Sequence, residues 1–324
     1  MIIARAPFRI TLGGGGTDLP SFYEKHGGFV LSMALDKYIY VCLKPLALST
    51  NIRLQYSKTE IVESADHLKH DRAKQALVRH GMLNGFEIVS IADLPASSGL
   101  GSSGSYLVAL LTAIRSHLRL PADPETVAAE ACEIEIVDLK EPVGKQDQYI
   151  SAFGGIQELT IDKLGNVDAT PSNVSAYNLN ELLSRLHIYH TGVSRSASEI
   201  LTDQSKLKGK SEDSLLAIKE LGYRFREALN AGEFDIFGSL LHEHWENKKK
   251  MSNKISFSKV DELYSLARQD YDVLGGKIIG AGGGGFLMLY TPEKNNELQT
   301  FMESQGLVRL DYGVDKGGVT IGEI

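Results

Sequence analysis

The stretch that decides the fold is Pro95-Ala96-Ser97-Ser98-Gly99-Leu100-Gly101-Ser102-Ser103-Gly104-Ser105. It lies between a strand-like segment, 86–91, and an apolar helical pattern over 105–118. Glycines let backbone N–H groups converge on an anion, and the N-terminus of the following helix adds positive potential. The serine hydroxyls can donate to phosphate oxygens or bind Mg²⁺, which prefers oxygen ligands. The sequence therefore predicts a phosphate-binding loop at this point.

Two other phosphate-binding motifs fit less well. In the Walker pattern G-x-x-x-x-G-K-[ST], Gln204 replaces the first glycine ahead of Gly209-Lys210-Ser211. The runs 99–104 and 280–285 both match G-x-G-x-x-G. A dinucleotide-binding fold needs the first glycine directly after a buried strand and an acidic residue about 20 positions later, ending a second strand. Here a polar linker intervenes and Asp123 precedes a helix, so a Rossmann dehydrogenase is the poorer interpretation.

Composition and charge exclude several classes of function. The 324 residues include 34 basic and 41 acidic side chains, and the net charge of −7 argues against coating nucleic acid or a polybasic membrane role. No apolar run reaches the roughly 20 residues that cross a bilayer. The first nine residues contain two arginines and lack a secretory apolar core. We expect a cytoplasmic protein with a small-molecule partner; its oligomeric state stays open, a homodimer being one option.

The pattern of the chain changes near residue 172, which predicts two domains, 1–172 and 173–324. Alternation predicts strands at 8–12, 37–43, 52–56, 86–91, 277–281, 286–290 and 307–312. Helical periodicity is found at 72–80, 105–118, 124–139 (with Asp123 as N-cap), 195–204, 212–230, 233–250, 259–269 and 294–305. The lysines at 248–250 are interpreted as a solvated helix end, and His242-Glu243-His244 lacks zinc-binding spacing.

Three motifs in order carry a resemblance to a known family. They are Ala6-Pro7-Phe8-Arg9-Ile10-Thr11-Leu12-Gly13-Gly14-Gly15-Gly16-Thr17-Asp18, then 95–105, then Lys277-Ile278-Ile279-Gly280-Ala281-Gly282-Gly283-Gly284-Gly285-Phe286. Together they resemble the GHMP small-molecule kinases. The resemblance implies an α+β fold of two domains, the N-terminal one like ribosomal protein S5 domain 2 and the C-terminal one ferredoxin-like. It also implies ATP and Mg²⁺ as cofactors.

Within the family, the first motif, 144–149 and 190–195 are most similar to the D-glycero-D-manno-heptose 7-phosphate kinase branch. The resemblance implies ATP-dependent phosphorylation of the anomeric O1 to give the 1,7-bisphosphate, in nucleotide-activated heptose biosynthesis. Two alternatives stay open. One is a family kinase acting on a fucose, galactose or mannose-type sugar, and the other is a non-catalytic nucleotide-binding sensor.

The family match places the catalytic aspartate at Asp147, with Arg9 as the cation beside it. A carboxylate can accept the proton of the acceptor hydroxyl, and a guanidinium can steady both the carboxylate and the phosphoryl group. The alternative for Asp147 is an N-cap of the helix that follows. For Mg²⁺ the ligands by analogy are Glu135, with Glu133 as a rival, and Ser103, with Ser102 as a rival. The predicted ATP-binding residues are Pro95, Ser98, Gly99, Leu100, Gly101, Ser102, Ser103, Gly104 and Ser105.

The sugar is expected on the first motif, where Asp18 offers two acceptor oxygens to a vicinal diol. A second anion site for the sugar's own phosphate is assigned to Arg195, because a planar guanidinium binds phosphate bidentately. Lys145 is a further candidate for that anion. The remaining predicted substrate-binding residues are Gly14, Gly15, Thr17, Thr191, Gly192, Gly283 and Gly284.

Overall fold

The computed structural model describes residues 1–96, 98–193, 210–252 and 254–323. The strands in this part of the chain are β1 (Ile2–Gly13), β2 (Gly28–Pro45), β3 (Ile52–Gln55), β4 (Thr59–Val62), β5 (Phe86–Ala92), β6 (Ile156–Ile161), β7 (Val167–Pro171), β8 (Leu186–His190), β9 (Gly275–Ile278), β10 (Phe286–Tyr290), β11 (Val308–Arg309) and β12 (Thr320–Glu323). They form two sheets. The first has the order β12-β1-β2-β5-β3-β4, with β6 on β2 and β7 on β6, and the second has the order β11-β8-β10-β9.

Helices cover both sheets. The α-helices are α1 (Pro20–His26), α2 (Asp71–Arg79), α3 (Ser102–His117), α4 (Pro124–Cys132), α5 (Gln146–Phe153), α6 (Ala176–Arg185), α7 (Lys210–Ala231), α8 (Phe234–Lys249), α9 (Ser258–Asp270) and α10 (Asn295–Ser304). A 3₁₀ turn spans Ala65–His67, and a π-helix, Glu133–Asp138, continues α4. In the described residues no helix is both long and apolar enough to cross a bilayer.

Most predicted elements are present, with bounds that local geometry changes. Asp123 caps α4 as expected, its side chain accepting from the backbone N–H of Thr126 at 3.0 Å, but the predicted helix 124–139 turns into a π-helix from Glu133. The strand expected at 277–281 ends at Ile278, because Gly280 has a positive φ of 76°. The strand expected at 307–312 is limited to β11. The helix expected at 195–204 lies outside the described residues.

The last residues of the chain belong to the first sheet. Strand β12 pairs with β1 in antiparallel register, Ala4 opposite Ile321 and Arg5 opposite Thr320. An isolated bridge between Leu35 and Val314 precedes this pairing. The expected boundary near residue 172 falls between β7 and α6. The expected C-terminal domain, 173–324, includes β12, but this strand pairs with β1 of the N-terminal domain.

Two apolar cores hold the elements in place. In the first, α3 packs against β1 and β2, and its residues from Gly104 to Ile114 are all buried. The second surrounds Trp245, Tyr189 and Leu289 between the second sheet and helices α8, α9 and α10. Helix α7 packs on α8 and also on β1 and β2, so it joins the two sheets.

The predicted phosphate loop is backed by the glycine turn that follows β9. A Cβ on Gly280 would lie 2.5 Å from the carbonyl oxygen of Gly99, and one on Gly285 would lie 2.1 Å from that of Ser98. Side chains on either glycine would force the two backbones apart. The glycines of the third motif are therefore required by the packing of the turn against the phosphate loop, whether or not a ligand is bound.

We predict that Gly280→Ala destabilises the protein more than Gly306→Ala does. Both positions have a positive φ, 76° and 80°, but a Cβ at Gly306 meets nothing within 4 Å. Gly306→Ala, the control, should lower the free energy of unfolding by about 1–2 kcal/mol because of its left-handed backbone alone. Gly280→Ala should lower it by about 1–3 kcal/mol more, because its Cβ displaces the Gly99 backbone. Urea unfolding measures both free energies. Equal losses would show that the contact contributes nothing.

Candidate active site

A cleft of about 340 Å³ lies between the two sheets, beside the phosphate loop. The first domain supplies one wall through β1, the 14–19 loop, the phosphate loop and the start of α5. The second domain supplies the facing wall through the end of α8, β9 and the glycine turn. The lining includes Arg9, Thr11, Gly15, Gly16, Asp18, Arg72, Gly99, Gly101, Ser102, Ser103, Asp147, His244, Lys248, Lys277, Gly280, Gly282 and Gly284.

The phosphate loop presents an uncapped helix end to the cleft. Helix α3 begins at Ser102 after Gly101, which has a φ of 81°, and no side chain caps its first turn. The first N–H groups of a helix lack partners within the helix, and they attract anions. Ser102 and Ser103 are partly exposed on the cleft wall. This is the arrangement expected for binding phosphate.

Arg9 and Asp147 form an ion pair beside this helix end. Arg9 Nε donates to Asp147 Oδ1 at 2.7 Å, and Arg9 Nη1 donates to the carbonyl of Gly99 at 2.7 Å. The arginine side chain is 6% exposed and the aspartate 24%. The capping alternative for Asp147 is not observed, because α5 begins at Gln146 and its N-cap is Lys145, with no side-chain cap bond. The carboxylate is directed to the guanidinium and the cleft.

Asp18 is buried beside the same pair. Its carboxylate accepts from the backbone N–H of Gly16 and of Gln146, each at 3.1 Å. Burial raises the pKa of this carboxyl above its usual value, and the nearby charge of Asp147 raises it further. A Cβ on Gly144 would lie 2.0 Å from Asp18 Oδ2, so a glycine is required there.

The π-helix separates the two glutamates that the sequence left as rivals. Glu135 is turned inward and buried, and it accepts from Arg72 Nε at 2.6 Å and from Gln148 Nε2 at 2.5 Å. Burial raises its pKa, although Arg72 opposes the shift. Glu133 is exposed on the opposite side and pairs with Arg79 at 2.7 Å. Of the two, only Glu135 has a partner, Arg72, that lines the cleft.

Several hydroxyl groups predicted to bind ligands are used within the fold. Ser105 Oγ is fully buried and lies 3.0 Å from the carbonyls of both Pro7 and Gly101, so it is not available to a phosphate. Thr17 Oγ1 lies 2.8 Å from the carbonyls of Gly14 and Phe29. Thr191 Oγ1 donates to the carbonyl of Gly285 at 3.0 Å.

Other predicted residues also lie away from the cleft. Lys145 donates to the carbonyl of Gly165, at the turn between β6 and β7, and lies over the ring of Tyr23. Arg195 lies outside the described residues. Within the described chain, the following predicted residues are not part of the lining: Gly14, Thr17, Pro95, Ser98, Leu100, Gly104, Ser105, Glu135, Lys145, Thr191, Gly192 and Gly283.

Sequence reasoning missed the basic groups of the facing wall. Lys248, interpreted as a solvated helix end, is buried and lines the cleft, as do His244 and Lys277. The signal that was available is the spacing of His244 and Lys248, four residues apart and thus on one helical face with the buried Leu240 and Leu241.

Two comparisons of sequence decide the family. The pattern of the GHMP kinases N terminal domain matches residues 60–155, and that of the GHMP kinases C terminal domain matches residues 225–306. The chain belongs to the GHMP kinase family. The kinase is 29% identical, over 98% of both chains, to a D-glycero-alpha-D-manno-heptose 7-phosphate kinase of Campylobacter jejuni. It is 27% identical to an L-fucokinase/L-fucose-1-P guanylyltransferase of Bacteroides fragilis, over 89% of this chain and 34% of that one.

Solved structures agree with the fold. The crystal structure of a D-glycero-D-manno-heptose 1-phosphate kinase from Bacteroides thetaiotaomicron superposes with a TM-score of 0.82 at 24% identity, covering 100% of this kinase and 99% of that chain. A putative sugar kinase from Campylobacter jejuni gives a TM-score of 0.79 at 27% identity, over 100% and 98% of the two chains. The two-domain α+β fold of the family is thereby established.

We predict that Asp18→Asn gains stability relative to the wild-type kinase as the pH rises above about 4. A carboxyl whose folded pKa is raised binds more protons folded than unfolded, so stability falls as pH rises through the folded value. The variant lacks this loss. Asp123→Asn is the control with the opposite sign, because its helix-cap bonds lower the pKa of Asp123. Urea unfolding at several pH values checks both, and parallel curves for Asp18→Asn and wild type would contradict the prediction.

Proposed function

We propose that this kinase transfers the γ-phosphoryl group of ATP to the anomeric O1 of D-glycero-D-manno-heptose 7-phosphate, giving the 1,7-bisphosphate. The single observation that carries the reaction type is the Arg9–Asp147 pair beside an uncapped helix end. The substrate assignment is supported by the end-to-end similarity to a heptose 7-phosphate kinase. A cytoplasmic location fits such a substrate.

In this mechanism Asp147 accepts the proton of O1. A bond forms between O1 and the γ-phosphorus, the bond from that phosphorus to the β,γ-bridging oxygen breaks, and ADP leaves with the electron pair. Arg9 orients the carboxylate through Nε, and its fixed positive charge favours the developing negative charge on the phosphoryl oxygens. Asp18, in the same cleft, binds sugar hydroxyl groups.

The residues of the loop fit ATP. The contact of Gly99 with the glycine turn and the φ of Gly101 leave no space for side chains over the first turn of α3, so a phosphate can approach its N–H groups. Ser103 and Glu135 supply the oxygen donors that Mg²⁺ prefers. Ser103 and Glu135 are the residues that would hold the ion, and it would neutralise negative charge on the phosphates of ATP.

Two other functions compete with this proposal. A kinase of free fucose-type sugars is favoured by the similarity to the fucokinase, and the need for the substrate's own phosphate separates it from the first proposal. A non-catalytic nucleotide sensor is disfavoured, because Arg9 and Asp147 are paired in the cleft. Turnover of ATP excludes the sensor.

We predict that Asp147→Asn lowers kcat about 10²- to 10⁴-fold while nucleotide binding changes little. The amide keeps the shape of the side chain but cannot accept the O1 proton. The measurement is ADP release with Mg-ATP and a panel of acceptors: the heptose 7-phosphate, free mannoheptose, fucose, galactose, mannose and mannose 6-phosphate. Asp168→Asn, on the exposed strand β7, is the matched control.

Each outcome of that panel is informative. Turnover confined to the heptose 7-phosphate, and lost in Asp147→Asn, supports both substrate and base. Turnover on a free sugar keeps the kinase and refutes the phosphorylated acceptor. A variant with wild-type kcat would remove Asp147 from the mechanism.

We predict that Glu135→Gln raises the Mg²⁺ concentration needed for half-maximal activity by about tenfold, since a hard cation loses a charged oxygen ligand. Glu133→Gln should leave that concentration unchanged, because Glu133 is on the surface. Titration of activity with Mg²⁺ at saturating ATP compares the two variants. The reverse order would assign the metal to Glu133, and an unchanged midpoint in both would leave the family analogy without support.

A further inference from the structure

Three basic side chains on the C-terminal wall of the cleft are buried. Lys248 and His244, from α8, are 7% and 2% exposed, and Lys277, from β9, is 2% exposed. All three line the cleft that contains Arg9 and Asp147. Burial of a lysine side chain is costly unless an anion compensates it. The position of these groups therefore needs an explanation beyond packing.

The two lysines donate to backbone carbonyls of different segments. Lys248 Nζ donates to the carbonyl of Ile278 at 3.1 Å and to that of Gly280, next to the phosphate loop. Lys277 Nζ donates to the carbonyl of Leu12 at 2.9 Å, at the start of the glycine-rich first motif. An ammonium group has three donors. These carbonyls leave one on Lys248 and two on Lys277 for a ligand.

His244 lies with the two lysines, and neither of its ring nitrogens has a hydrogen-bond partner among the described residues. An unpartnered polar atom in a buried side chain is rare and calls for a ligand or water. His244 is among the residues that line the cleft, and the protonated nitrogen of its ring can donate to a ligand there. The imidazole thus adds a second, independent indication of a polar occupant.

The other cations of the cleft already have carboxylate partners. Arg9 pairs with Asp147, and Arg72 pairs with Glu135. Lys248 and Lys277 have no ion pair in the part of the chain that the structure describes. Burial, with the charge of Arg9 second, lowers the pKa of Lys248 to about 7. Burial and then the charge of Lys248 lower the pKa of Lys277, and burial and then the charge of Lys277 lower that of His244. The C-terminal wall therefore presents hydrogen-bond donors that have no carboxylate partner among the described residues.

We propose that Lys248, Lys277 and His244 form an anion subsite that binds a phosphoryl group on the C-terminal wall of the cleft. The inference deepens the proposed function and rests on it. A phosphoryl group has three outer oxygens and up to two charges, which matches donors that approach from two elements. A neutral hydroxyl would not supply the negative charge that keeps both lysines protonated when they are buried. Two phosphoryl groups have this chemistry, the terminal phosphate of the nucleotide and the acceptor's own phosphate.

The test is binding, measured by calorimetry, of two probes to the whole protein. One probe is the β,γ-imido analogue of ATP with Mg²⁺, and the other is D-glycero-D-manno-heptose 7-phosphate. Lys248→Met removes the charge and keeps the length of the side chain, and we expect it to weaken one probe by at least about tenfold. Lys250→Met, at the exposed end of the same helix, is the matched control and should bind both probes as the wild type does.

The two arms identify the phosphate. Loss confined to the ATP analogue assigns the subsite to the transferred phosphoryl group, and loss confined to the sugar phosphate assigns it to the acceptor's phosphate. Unchanged affinity for both probes in a folded Lys248→Met protein overturns the inference. Failure of the proposed function has a different signature, because the wild-type protein then binds the ATP analogue but not the sugar phosphate.

A measurement on the wild-type protein decides the matter where Lys248→Met does not fold. At pH 8 phosphate groups are mostly ionised, so protons taken up from the buffer on binding are bound by groups of the protein. The titratable or charged groups around Lys248 in the described residues are Arg9 from β1, Lys277 from β9 and His244 from α8. An anion held by this set raises their pKa values, and titrations in buffers of different ionisation enthalpy should show proton uptake. Binding of both probes without uptake overturns the inference.

Discussion

The site depends on one backbone contact, in which the glycine turn after β9 lies directly against the phosphate loop. The carbonyls of Gly99 and Ser98 occupy the positions that side chains on Gly280 and Gly285 would need. The contact brings the second sheet to the uncapped end of α3. It also places Lys248 on the cleft wall, because the lysine donates to the carbonyl of Gly280 in the same turn. Cleft residues of the two domains lie across from each other for this reason.

Burial of charge is the main energetic cost of the cleft. Arg9 offsets its burial with Asp147 and Arg72 with Glu135, whereas Asp18 is held by backbone N–H groups and keeps a raised pKa. Such groups lower the stability of the empty protein, and a ligand that satisfies them would compensate that cost. Perturbed charged groups of this kind cluster at functional sites in other enzymes.

The motifs predicted the family and the two-domain fold, and the comparisons confirmed both. Of the predicted site residues, Arg9, Asp18 and Asp147 line the cleft. The motifs did not establish whether Glu133 or Glu135 points into the protein. The choice of Glu135 over Glu133 follows from the π-helix that continues α4, because its wider turn changes which side chains face the core. The hydroxyl of Ser105 and the amine of Lys145 have the right chemistry, but backbone carbonyls of the fold accept their hydrogen bonds.

The sequence by itself determined the local chemistry of this protein. Glycines and serines before an apolar helix predict a phosphate loop, since backbone freedom and helix polarity depend on a few adjacent residues. Only the tertiary structure decided what surrounds that loop. A lysine near a helix end is predicted to be exposed to solvent. In the structure, β9 and the glycine turn pack over Lys248 and bury it. Burial and charge pairing arise from residues distant in sequence, and a local pattern does not contain them.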